Sequence, residues 1–71
     1  MSDYGIGDKE GDWILIAREG RLELWENEKS GNWGVYLYEH VGQDEGWLMH
    51  VIRGSEDAAR QLLATVSDLL V

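Results

Sequence analysis

"DWILIAREGRLELWEN", residues 12–27, is the stretch on which the fold turns. Two apolar runs flank Gly20. The first, Trp13 to Ala17, is apolar at every position and suits a strand covered on both faces. The second alternates, with Leu22 and Leu24 on one side and Arg21, Glu23 and Trp25 on the other. A two-residue loop at Glu19-Gly20 pairs Ala17 with Leu22 and Leu15 with Leu24, which gathers one apolar face. Glu is a poor first residue for such a turn, and a three-residue loop with Gly20 left-handed is the alternative. The choice matters because a one-residue slip moves a strand's side chains to the opposite face.

Toward the C-terminus, "ENEKSGN" (26–32) reads as a turn, with Gly31 and Asn32 suited to positive φ. The next strand puts Trp33, Val35 and Leu37 on one face and Tyr36 and Tyr38 on the other. "VGQDEG" (41–46) is a further turn, and "WLMHVIR" (47–53) is a strand apolar on both faces except at His50. Ser55 is a good helix N-cap, and Glu56 and Asp57 follow where the helix dipole favours negative charge. Ala59, Leu62, Leu63, Val66, Leu69 and Leu70 then recur at helical spacing. Toward the N-terminus, residues 1–11 carry Gly5, Gly7 and Gly11 among acidic residues and read as a flexible tail. The expected fold is therefore α+β: a four-stranded antiparallel meander with one C-terminal helix packed on one face, order ββββα. It makes a single small domain over residues 12–71.

One helix has one apolar stripe, and a sheet has two faces. The expected pairing puts Trp13, Leu15, Leu22, Leu24, Val35 and Leu37 under the helix. Trp25, Tyr36 and Tyr38 remain on the other face, joined by His50 if Tyr36 and Tyr38 align with Leu48, His50 and Ile52. Tyr and Trp also stabilise half-exposed sheets as cross-strand pairs. With Ile14, Ile16, Leu48 and Ile52 added, however, the patch is large enough to mark an interface. Trp25, Tyr36, Tyr38 and His50 are the expected partner-binding residues, with Glu23, Glu26, Glu28, Glu39, Asp44 and Glu45 as an acidic rim.

Charge narrows the partner. The chain has 71 residues, with 14 Asp and Glu against 6 Lys and Arg, a formal net charge of −8. Such a surface repels phosphate backbones and anionic membranes. The strand order is similar in layout to the Whirly and Pur-alpha-type single-strand binders, without a shared motif. Those sites need a basic groove, and only Arg18, Arg21, Lys29 and Arg53 oppose the acidic residues of this sheet. Direct nucleic-acid binding is not expected. Phosphate mimicry needs carboxylates along one face, whereas these are scattered over the tail, the turns and the helix start.

Catalytic and metal chemistry find little support. There is no cysteine, which excludes disulfides and thiolate zinc sites. Asp8, Glu10, Asp12 and Glu19 fall at positions 1, 3, 5 and 12 of a calcium-loop spacing, but Trp13 stands where glycine must make the turn. His40 and His50 lack an enforced carboxylate partner, Ser30 and Ser55 suit a turn and a cap, and "GIGDKEG" lacks the ending of a phosphate loop. No cofactor is expected. No apolar run approaches the ~20 residues of a membrane span, and the first residues lack the features of a signal peptide. The expectation is a soluble cytoplasmic protein, not an enzyme, that binds a basic protein partner. Inhibition of a nucleic-acid-binding protein, in the manner of phage anti-defence proteins, is one such role. The alternatives are a homodimer that buries the aromatic face on itself, and a small-ligand domain. A core this small gains from self-association.

Overall fold

The computed structural model describes residues 4–41 and 44–70, and for 38–41 and 44–49 the course and pairing of the backbone alone. Five strands run β1 (Lys9–Glu10), β2 (Trp13–Glu19), β3 (Leu22–Asn27), β4 (Trp33–Val41) and β5 (Asp44–Arg53), followed by helix α1 (Glu56–Leu70). Each strand pairs antiparallel with its sequence neighbour, so the sheet is a meander in the order β1-β2-β3-β4-β5. The expected class holds, with one short strand added at the N-terminal edge. That strand lies inside the stretch read as a tail. Gly11 takes φ 60° in a two-residue turn that pairs Glu10 with Trp13. The preceding backbone continues along β2, with Gly7 N–H donating to the Leu15 carbonyl at 2.8 Å and Leu15 N–H to that of Asp8 at 3.0 Å.

The β2–β3 register differs from expectation. The loop is Gly20-Arg21 rather than Glu19-Gly20, so Glu19 faces Leu22, Arg18 faces Glu23 and Ala17 faces Leu24. Gly20 at φ 61° takes the first central position of the turn, where a side chain would be strained. Beyond Ala17 the register shifts, and Leu15 pairs with Trp25, Ile14 with Glu26 and Trp13 with Asn27. Ile16 is the extra residue of a β-bulge, which breaks the alternation along β2. Ile16 and Ala17 both pack toward the helix, while Trp13 and Leu15 pass to the opposite face beside Trp25. Two residues expected beneath the helix thus belong to the other layer.

The helix side forms the main core. Leu22, Leu24, Trp33, Val35, Ala59 and Leu63 are buried together, flanked by Ile16, Ala17, Leu37, Leu62 and Val66. Each fully buried leucine or valine contributes about 1.5–3 kcal/mol. Helix α1 starts as expected: Ser55 Oγ accepts from Ala58 N–H at 3.2 Å, and Arg60 Nε donates to Glu56 Oε2 at 2.7 Å. Its last turn overruns the core. Leu69 is 79% exposed, although its spacing assigns it to the apolar stripe. Ser67 Oγ donates to Glu19 Oε1 at 3.0 Å, which ties this end of the helix to the β2–β3 hairpin.

Candidate binding cleft

The opposite face carries a second, smaller apolar layer. Leu15 and Trp25 meet as a cross-strand pair there, at 0% and 3% exposure. Tyr4 closes over Trp25, with ring centroids 5.2 Å apart and planes at 85°. The N-terminal segment therefore covers part of the face that a single helix cannot reach.

Beneath this segment lies a buried carboxylate. Glu23 is 1% exposed, and its Oε2 accepts from Arg18 Nε at 3.0 Å and Arg18 Nη2 at 2.6 Å. Its other oxygen, Oε1, accepts from the Trp25 indole N–H at 3.2 Å. Arg18 also donates to the Tyr4 carbonyl, so one guanidinium neutralises Glu23 and fastens the segment. The pairing of Arg18 with Glu23 across β2 and β3 brings these charges together. A buried carboxylate is tolerated when it is paired and hydrogen-bonded in this way.

Between Tyr4, Trp13, Trp25, Tyr36 and Glu10 the surface opens into a cleft of about 200 Å³. Tyr36 forms part of its lining and touches two of the other rings. Its ring lies 6.2 Å from Trp13 at 75° and 6.4 Å from Trp25 at 61°. Gly34, two residues before it, leaves room for this pose. A Cβ at Gly34 would sit 3.1 Å from Tyr36 Cζ and nearer still to Cε1. Partial burial raises the Tyr36 phenol above its ordinary value of 10.0, because the phenolate loses solvation. On the far side of Tyr36, His50 stacks at 5.6 Å and 21° and is itself exposed. Glu10 is exposed at the rim and accepts a hydrogen bond from the Tyr4 hydroxyl.

The expected site residues fare unequally. Tyr36 and His50 face each other across β4 and β5 and share the aromatic face, as the sequence pattern implies. Trp25 is on the same face but forms the floor of the cleft rather than an exposed anchor. Tyr38 pairs with Trp47, since β5 bulges before this point, and its side chain lies outside the described residues. Of the expected rim, Glu23 is buried. Glu26 is half-buried and pairs with Ile14 and Trp33 on the helix side of the sheet. Glu28 is exposed and ion-paired with Lys9 at 3.1 Å. The side chains of Glu39, Asp44 and Glu45 also lie outside the described residues.

Tyr4, Glu10, Trp13 and Arg18 are cleft or support residues that sequence reasoning did not assign. Trp13 was hidden by the bulge. A signal for the other two cleft residues existed in Asp8 and the glycines at 7 and 11, which mark turns able to fold the segment back on β2. Among the described residues, no helix is long and apolar enough to cross a membrane. Compared with protein-family models, curated proteins and solved structures, the chain matches none.

Proposed function

We propose that the chain is a non-enzymatic binding module that receives a cationic side chain of a basic protein partner in the aromatic cleft. One observation carries this reading: four aromatic rings converge on an open cleft with the Glu10 carboxylate at its edge. Aromatic side chains dominate binding energy at interfaces, and their faces attract cations. The net charge of −8 adds long-range steering toward a positive surface and rejects acidic competitors. Size argues for a side chain over a metabolite. The cleft's 200 Å³ falls below the ~300–1,000 Å³ of typical small-molecule pockets. A module of this kind suits an inhibitor or decoy that occupies the basic surface of a nucleic-acid-binding protein, as phage-type anti-defence proteins do.

The test is capture of the partner from source lysate, followed by titration of the purified pair at low and high salt. Affinity should fall with salt and should drop about tenfold or more in Tyr36→Ala, the loss expected for an aromatic anchor. Binding that ignores both salt and the substitution would sink the reading. If the chain captures only itself and its melting temperature rises with concentration, the aromatic face is a homodimer interface instead.

A further inference from the structure

We infer that the cleft recognises an alkylated ammonium group, and that its occupant is a trimethylated lysine of the protein partner. This rests on the reading of the cleft as the interaction site and names the chemistry of its anchor. The rings of Tyr4, Trp25, Tyr36 and Trp13 meet at 85°, 61° and 75°, so they form walls rather than a flat stack. Neighbouring centroids are 5.2 to 6.4 Å apart. A compact cation in the cleft lies against a lining made of several of these rings at once, the setting in which cation–π attraction acts. Glu10 supplies a negative charge at the edge, while the adjacent Lys9 ammonium is held by Glu28.

Alkylation is favoured by what the cleft offers a donor. The acceptors among its lining residues are the Glu10 carboxylate at the edge and the tyrosine hydroxyls, and the rest of the lining is ring surface. An unmodified lysine ammonium brings three N–H donors and arginine five, each costly to strip of water without an acceptor. A quaternary ammonium has no donor to satisfy and keeps its full attraction to ring faces. Lysine is favoured over a choline headgroup as the source, because the phosphate beside choline would meet Glu10 and a surface of net charge −8.

The intact chain is titrated with Nε-trimethyllysine, with lysine, with the neutral tert-butyl carbon isostere of trimethyllysine, and with phosphocholine. The indole N–H signals of Trp13 and Trp25 are followed by NMR. Trimethyllysine is expected to shift both signals and to bind about tenfold tighter than lysine or the isostere. Glu10→Gln, an exposed change that spares the fold, should weaken it about threefold by removing one edge charge. Equal binding of the isostere, equal or tighter binding of lysine, tighter binding of phosphocholine, or unmoved signals at saturating trimethyllysine would each overturn the inference. The two levels separate cleanly. If trimethyllysine fails while the basic partner still binds the natural chain and not Tyr36→Ala, only the ligand assignment falls. If trimethyllysine shifts both signals while the partner binds Tyr36→Ala unchanged, the ligand assignment stands and the partner-binding role falls.

Discussion

The two faces of this sheet are held by different physics. The helix face is a mainly aliphatic layer, completed by Trp33, in which Leu22, Leu24 and Val35 are almost wholly buried. The opposite face is covered by a short segment that brings few aliphatic groups, and it relies on ring edges, one charge pair and an indole hydrogen bond. Aliphatic burial is non-directional and tolerates many shapes. The ring-and-charge layer is directional, so it leaves a shaped opening where the segment ends. The face with the weaker cover is the one with a cleft.

Substitutions can break or sharpen this contrast. Leu24→Ala should have the largest effect, about 2–5 kcal/mol of lost stability, since it empties a site at the centre of the aliphatic layer. Urea unfolding measures it, and a loss below about 1 kcal/mol would show that layer to be loosely packed. Arg18→Met should cost less, about 2–3 kcal/mol. Removing one partner of a buried pair costs roughly 3–5 kcal/mol, discounted here because Arg18 keeps 20% exposure. It should also free Tyr4, seen as increased amide exchange in residues 4–8. If stability and exchange stay unchanged, the charge pair does not hold the cover.

Gly34→Ala should cost about 1–2 kcal/mol by forcing Tyr36 aside. Its sharper readout is local: the Trp13 and Trp25 indole signals should move, while methyl signals of Leu22 and Val35 should not. Equal movement on both faces would mean that the layers are coupled through the strand. The smallest effect concerns pH. The Tyr36 phenol titrates above 10.0 in the folded chain and at its ordinary value when unfolded, so its contribution is full below pH 10 and fades as pH rises through the folded value. Tyr36→Phe should flatten that part of the alkaline stability loss in urea melts at pH 9 and 11.

Most of the architecture was legible because it rests on local patterns. The alternation in β3 and β4, the Ser55 cap and the helical spacing from Ala59 each specify one element, and the pairing of Tyr36 with His50 follows from their strands. The faces of β2 were not legible. "WILIA" is apolar at every position, so no alternation reveals which residues point which way, and the extra residue at Ile16 leaves no mark in hydropathy. The buried carboxylate was hidden for a related reason. Glu23 looks like an ordinary outward residue of β3, and only its partner Arg18, set by the register of a hairpin, makes burial tolerable. Cleft residues near the N-terminus were missed because a glycine-rich acidic stretch has the composition of a tail, whereas glycines placed at turns fold it back onto the sheet.

The meander also has a kinetic consequence. Every strand pairs with its neighbour in sequence, and no crossover must be closed before a contact is rewarded. Such a topology keeps contact order low for a β-rich chain, and refolding on the order of milliseconds is expected in a stopped-flow experiment. A refolding phase of seconds would show that docking of α1, which reaches back across β3, β4 and β5, sets the pace.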